Sequence, residues 1–438
     1  MSKEPSETEK SEKEIFKWIN KQGIMWKFKF YGFFKNLKFF EPYLLIIFLS
    51  WNINLFQIGI LIAIQEAITF IFEVPSGMLA DTRGKKTELL FCFIFYIISF
   101  CFYFMGPAYM MLVFGAVFFG FGEAFRSGTH KAMEMQWMDK NDILQYKAFI
   151  YGTTRSYSLY GSALSSVLAI IFILNIPANR WIFIITIIPY VIDFILIASY
   201  PSYMNEQSLE KGSYWKDFVA AFRGLKIVLT DSSLRKGLLS MSLYDGIYKS
   251  LKDYIQPIMK LFITVLLINF AFSGTPSEEE FFLTLILGLM YASFYLVSSY
   301  SSKKAYFVQK RVKSSKHAMD LIFYIFAIII FCEAVLIWLQ IPLLIIFLYM
   351  FIYAFYNLRR PIAVDYLGDV MKKEQRATIL SVEALIRSML VIIFAPLFGF
   401  IAEVFSITVL FLLLTVFIII VNFFFLKGNY NVKNDVDT

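Results

Sequence analysis

Charge is scarce in this chain of 438 residues: Asp, Glu, Lys and Arg together make 17%, against roughly 25% in an average soluble domain. So little polar surface excludes a water-soluble enzyme. Cysteine is nearly missing: Cys92, Cys101 and Cys332 lie inside apolar runs, and no pair has the spacing of a metal site or a disulfide framework. Two histidines do not supply a zinc set either. No nucleophile-base pair, metal set or phosphate-binding loop stands out, so neither an enzyme nor a cofactor is expected. What is present instead is 58% hydrophobic residues, in repeated runs of about twenty, the length that crosses a ~30 Å hydrocarbon core.

The expected fold is all-α with twelve transmembrane helices, at about 38–54, 57–79, 87–105, 108–133, 144–175, 181–200, 237–270, 281–302, 317–339, 341–367, 377–402 and 404–426. The longest stretch without one, 201–236, is polar and basic and divides the helices six and six. This gives a cytoplasmic N-terminal tail (1–37), a six-helix bundle (38–200), a cytoplasmic linker (201–236), a second six-helix bundle (237–426) and a cytoplasmic tail (427–438). The first 37 residues hold no apolar stretch with a cleavage site, so no signal peptide is expected. Their Trp18, Trp26, Phe28 and Phe30 interleave with Lys17, Lys21, Lys27 and Lys29, a mixture suited to an anionic membrane surface.

Lys and Arg outnumber Asp and Glu by 41 to 33, a net +8. The excess falls in loops after even-numbered helices, among them Arg83, Lys85, Lys86, Lys303, Lys304, Lys310, Lys372 and Lys373, whereas Glu278, Glu279 and Glu280 make one odd-numbered loop acidic. The positive-inside rule then places both termini in the cytoplasm and assigns the charge to topology rather than to nucleic acid.

Between the second and third segments stands Gly77-Met78-Leu79-Ala80-Asp81-Thr82-Arg83-Gly84-Lys85-Lys86. Gly77 removes a side chain where two helices could approach closely, Asp81 suits a helix N-terminus, and Gly84 permits a tight turn. The run resembles the loop signature of the major facilitator superfamily, G-x-L-A-D-[RK]-x-G-[RK]-[RK], departing mainly at Thr82. Glu73-Val74-Pro75-Ser76-Gly77 before it, and Gln375-Arg376-Ala377-Thr378 with Ala395-Pro396-Leu397-Phe398-Gly399 later, are similar to stretches in transporters of this superfamily. The resemblance implies two bundles that rock about a central site, with helices one, four, seven and ten lining the cavity and two, five, eight and eleven flanking it. It also implies that Gly77, Asp81, Arg83, Gly84 and Lys85 form a conformational latch holding the halves together on the cytoplasmic side in the outward-open state. Two features of proton-driven drug exporters in the superfamily do not match: Ala116 stands where they carry a buried arginine, and Tyr160-Gly161-Ser162-Ala163-Leu164-Ser165 where they carry G-x-x-x-G-P-x-x-G-G.

An ionisable side chain at a helix centre costs roughly 2.5–3.5 kcal/mol on insertion scales, so it usually faces a cavity, a partner or water. Many stand inside these segments: Glu66 and Glu73 in the second; Glu123 and Arg126 in the fourth; Arg155, near Tyr157, in the fifth; Asp245, Lys249 and Asp253 in the seventh; Arg359 and Arg360 in the tenth; Glu383 and Arg387 in the eleventh. Glu123/Arg126 and Glu383/Arg387, at i,i+3 and i,i+4, can equally be internal structural pairs. Asp193 and Glu333, on the sixth and ninth helices that the resemblance makes peripheral, are assigned to packing or interfacial water, and His130 to a hydrogen bond at a helix end.

The excess of intramembrane cations favours a solute with an anionic group, because guanidinium pairs bidentately with carboxylate or phosphate. The sequence therefore reads as a monomeric secondary transporter or facilitator of a small solute in the plasma membrane. Glu123, Arg126, Arg155, Tyr157, Asp245, Lys249, Asp253, Arg359, Arg360, Glu383 and Arg387 are the substrate-site candidates, and Glu66, Glu73 and Glu123 the candidates for coupling to a co- or counter-transported proton. The rival readings are drug or amphipath efflux by proton antiport, and a non-transporting receptor or scaffold on the same fold.

Overall fold

The computed structural model describes residues 7–205, 231–270, 275–311, 315–371 and 376–426; the side chains at 7–13, 81, 148, 303–311, 369, 376–378 and 425–426 fall outside it. The 427–438 tail, residues 1–6 and most of the 201–236 linker lie outside the described residues. Those described form helices and turns with no strand, as a chain in hydrocarbon must when each segment satisfies its own backbone.

The first half holds α1 (Glu7–Lys21), α2 (Gly23–Lys35), α3 (Leu44–Ser50), α4 (Leu55–Arg83), α5 (Lys85–Met105), α6 (Tyr109–Arg126), α7 (Thr129–Lys140), α8 (Lys147–Asn175) and α9 (Trp181–Ala198). The second holds α10 (Ser232–Leu251), α11 (Ile255–Asn269), α12 (Pro276–Arg311), α13 (Ser315–Leu339), α14 (Pro342–Val370), α15 (Arg376–Val404) and α16 (Ile407–Ile420). Polar caps set several starts. Asn54 and Gln57 exchange side-chain and backbone bonds of 2.8 and 3.0 Å ahead of α4, Asp231 Oδ1 accepts from Ser233 and Leu234 N–H ahead of α10, and Ser406 Oγ accepts from Val409 N–H at α16.

Among the described residues, ten helical stretches are long and apolar enough to cross a membrane, two fewer than expected from the sequence. The missing two are the first and seventh segments, and both are broken helices. The 38–54 segment contains a 3-10 turn at Glu41–Tyr43 and only seven residues of helix in α3. The helix leading into it is α2, which the sequence reading left in the tail; α2 packs along α8 and α9 and buries Met25, Phe28, Lys29, Tyr31 and Gly32. Its lysines are accommodated individually: Lys27 Nζ reaches Ser199 O at 2.6 Å, and Lys29 Nζ reaches Asn20 Oδ1 at 2.8 Å above the Trp26 ring. The 237–270 segment divides into α10 and α11 at a 3-10 turn, Lys252–Tyr254. Tyr349 and Tyr353 hydroxyls donate to the carbonyls of Leu251 and Lys252 freed there.

The two halves repeat one packing pattern. In the first, α2 lies on α8, α4 on α6, and α5 on α6 and α9; in the second, α10 lies on α15, α12 on α14, and α13 on α14 and α16. Between halves, α4 packs on α15 and α8 on α12, contacts that a two-fold relation would exchange. The outward faces carry exposed apolar residues such as Trp338, Phe405, Ile188 and Leu261, the inversion expected of surfaces that meet lipid.

Candidate functional site

The helices run between a far end, at 51–54, 106–108, 176–180, 340–341 and 405–406, and a near end, at 84, 141–146, 199–205 and 371. The bundles touch from the far end inward. A Cβ built on Gly59 would stand 2.3 Å from Ala395 O, and one on Gly399 2.3 Å from Leu55 O, so α4 and α15 meet backbone to backbone. Leu55 N–H donates to Glu403 at 3.1 Å.

The broken helices meet in a polar seal. Lys252 Nζ contacts Glu41 at 3.3 Å and Asp253 at 2.7 Å. Tyr291 OH donates to Asp253 at 2.7 Å, and Tyr43 OH donates to Thr284 O at 2.8 Å. Gln256, fully buried, clamps the break in the opposite bundle: its Oε1 accepts from Leu45 N–H at 2.8 Å and Ile46 N–H at 3.4 Å, while its Nε2 donates to Glu41 O and Tyr291 OH. Deeper, Lys249 Nζ meets Glu66 at 2.5 Å and Ser388 Oγ donates to the other Glu66 oxygen at 3.1 Å. From that level to the near end, no hydrogen bond or ion pair joins described residues of the two bundles. Lys131 and Arg155 are exposed there, and the Arg360 side chain is 42% exposed. The space between the bundles is a cleft open to the near end.

The candidate residues divide accordingly. Arg155 makes no hydrogen bond or ion pair among the described residues; its electrostatic neighbours Arg360, Tyr248 and Tyr356 belong to the other bundle. Arg360 Nη1 donates to Tyr356 OH at 2.6 Å and lies 3.4 Å from Asp245, beside the parallel rings of Tyr248 and Tyr356, 3.8 Å apart. Glu123 and Arg126 are paired, with Tyr96 OH bridging them and Lys38 Nζ 4.0 Å from the carboxylate. Glu383 and Arg387 pair at 3.5 Å. Glu73 accepts from Ser127 Oγ at 2.7 Å inside its own bundle.

Three candidates lie elsewhere than expected. Arg359 is buried in the second bundle, where it donates to Ser240 O, Ser240 Oγ and Met319 O and lies over the Tyr244 and Phe323 rings. Asp253 belongs to the seal. Tyr157 packs edge-on to Trp26 and Phe30 of α2. Conversely, the sequence reading noted Lys252 beside Asp253 without making it a candidate, and passed over Glu41 and Gln256. A glutamine and a Glu-Pro step inside apolar segments were the available signal.

The model of the Major Facilitator Superfamily matches residues 33–356, more than half of the chain and both bundles. The chain belongs to this superfamily. Over 101 residues it is 27% identical to the uncharacterized MFS-type transporter YxaM of Bacillus subtilis (strain 168), a match spanning 23% of this chain and 24% of that one. The nucleoside transporter NupG shares its fold with a TM-score of 0.69 at 12% identity, covering 92% of this chain and 98% of that one. A POT family transporter in complex with thioalcohol conjugated peptide does so with 0.67 at 12% identity, covering 92% and 94%. The chain is therefore a multi-pass α-helical membrane protein of this superfamily.

The superfamily loop can now be placed. Gly84 has φ +93° and a Cβ there would lie 2.2 Å from Asn205 Oδ1, so the turn requires glycine. Asn205 Oδ1 accepts from Thr87 N–H, and Lys86 Nζ donates to Tyr200 O, tying the loop to the end of α9 in its own bundle. Arg83 and Lys85 make no ion pair among the described residues, and the Asp81 side chain lies outside them. The close approach expected at Gly77 is not made in this conformation, where a Cβ meets nothing within 4 Å.

Proposed function

We propose that this protein is a secondary transporter, working by alternating access, for a small solute that carries an anionic group. The observation that carries the reading is the pair Arg155 and Arg360, one from each bundle, facing one cleft with Lys131 and with Asp245 as the acid in ion-pair range of Arg360. A carboxylate or phosphate between the two guanidinium groups relieves their repulsion and offers each a bidentate partner. Tyr248 and Tyr356 supply an aromatic wall beside it. Arg126, Lys249 and Arg387 already face acids, which makes them secondary in this site.

In the same reading there are twelve passes, with α2/α3 as the first and α10/α11 as the seventh, and the near end with both termini is cytoplasmic, as the basic loops require. The structure is then the inward-open state. That fits Arg83 and Lys85 having no ion pair among the described residues, since the latch belongs to the opposite state.

The test is uptake of labelled organic anions and phosphate esters into proteoliposomes, with binding and melting temperature measured for Arg155→Lys and Arg155→Gln. Arg155→Lys should weaken binding about tenfold or more and Arg155→Gln further, as expected for a charge-assisted contact of roughly 1.5–3 kcal/mol, with the melting temperature unchanged because Arg155 holds no partner among the described residues of its own bundle. A fall in melting temperature with affinity intact would assign Arg155 to architecture.

A further inference from the structure

The charge pairs that cross between the bundles differ in what becomes of each partner when the bundles part. Lys252 keeps Asp253, its neighbour in the same turn. Glu41 keeps Lys38, three residues earlier, which already acts on it electrostatically. Arg360 and Asp245 both belong to the second bundle and move together. Glu66 is different: Lys249 and Ser388, which supply its hydrogen bonds, both lie in the opposite bundle, and no cation of its own bundle is in ion-pair range among the described residues. The neighbouring acids have partners at home, since Glu123 holds Arg126 and Glu73 holds Ser127.

Separation at the far end would leave Glu66 an unpaired carboxylate in the middle of a membrane-spanning helix, the most costly state for such a group. We propose that Glu66 is the coupling acid of this transporter: it takes up a proton as the Glu66–Lys249 tie breaks and gives it up when the tie reforms. The proposal rests on the anionic-solute reading above and deepens it. One proton adds to one carboxylate, the carboxylic acid is neutral, and the released Lys249 ammonium becomes available to the anionic group of the solute or to the acids of its own bundle. Proton and anion then travel in one direction, because the anion takes the place of the Glu66 carboxylate beside Lys249. A metal ion fits less well, for no group of three or more His, Cys, Asp or Glu gathers at any site among the described residues and Glu66 has only a hydroxyl and an ammonium in contact.

The mid-helix charged groups on helices packed against α4 are Glu383 and Arg387 on α15 and Glu123 and Arg126 on α6, and α10, which packs on α15, adds Lys249 and Asp245. Of these, Lys249 is the one within ion-pair distance of Glu66, and the remaining charges on those helices and on α5 lie toward helix ends.

The experiment needs no solute. Spin labels on cysteines at Gly152 and Leu380, two exposed near-end positions on opposite bundles, report the width of the cleft in reconstituted protein lacking its native cysteines. Acidification should shorten the distance in the wild type, as loss of the Glu66 tie releases the far end and the near end closes. Glu66→Gln should hold the short distance at every pH. Lys249→Met should bring the change on at milder acidity, because the carboxylate has lost its cation, and it keeps the idea testable if Glu66→Gln does not fold. Wild-type pH dependence in Glu66→Gln, an unmoved midpoint in Lys249→Met, or the same shortening driven by sodium at constant pH would each overturn the assignment. None of these outcomes depends on Arg155, so the coupling acid and the solute class fail separately.

Discussion

Arg359 and Arg360 are neighbours in sequence and opposite in situation. Successive residues on a helix point about 100° apart, so one guanidinium enters the bundle and finds Ser240 and Met319, while the other faces the cleft. Arg359→Met should lower stability by about 2–3 kcal/mol, the worth of charge-assisted bonds whose acceptors are then left buried. Arg360→Gln removes a half-exposed side chain but leaves the buried Asp245 carboxylate without its cation, so it too should lower stability and, unlike Arg359→Met, should also weaken anion binding; melting temperature and affinity measured on both variants check the contrast. Sequence spacing made Glu123/Arg126 and Glu383/Arg387 legible as pairs because both partners lie on one helix. It could not show the Glu66–Lys249 tie, whose partners stand 183 positions apart, nor which of two adjacent arginines faces inward.

The sequence reading drew both broken helices as single segments, 38–54 and 237–270, without their breaks, and left α2 in the tail. A broken helix presents two short apolar pieces with polar residues between them, and in α2 the lysines at 27, 29 and 35 dilute the run further. The polarity that hides such a helix from the sequence is also its function, because the broken ends expose N–H and carbonyl groups that bind across the interface. The first break is capped from the other bundle by Gln256, so the cap exists only while the far end is shut. Gln256→Leu keeps the volume and removes every bond, leaving Leu45 N–H and Glu41 O without their partner. At roughly 1–3 kcal/mol for an unsatisfied buried group, the far-end-closed population should fall by a factor of ten or more. Labels at Asn175 and Leu339, exposed far-end positions on the two bundles, should then report a longer and broader distance; an unchanged distribution would remove Gln256 from the seal.

At the scale of the whole molecule, the six-and-six division was legible because polar linkers and basic loops repeat, whereas the conformation was not, because one sequence serves both states. The glycine contact between α4 and α15 has a mechanical consequence. A backbone-to-backbone contact is a fulcrum, and this one sits about one turn from the far end of α4, so a small tilt swings the near end widely and scarcely moves the far end. Opening the far end therefore requires the fulcrum to travel. The helices are antiparallel, and each step along α4 is matched by an equal step back along α15: Leu55 meets Gly399, Gly59 meets Ala395, and Glu66 meets Ser388. Continued, this register sets Gly77 opposite Ala377. Gly77 lies eighteen residues beyond Gly59, five whole turns and about 27 Å along the same face, with empty space where its side chain would be. It is a bearing surface waiting for the load to arrive. Gly77→Leu should leave the present conformation and its melting temperature untouched while the Gly152–Leu380 distance no longer shortens on acidification and transport stops; a variant that still closes its near end would show that the load is carried elsewhere.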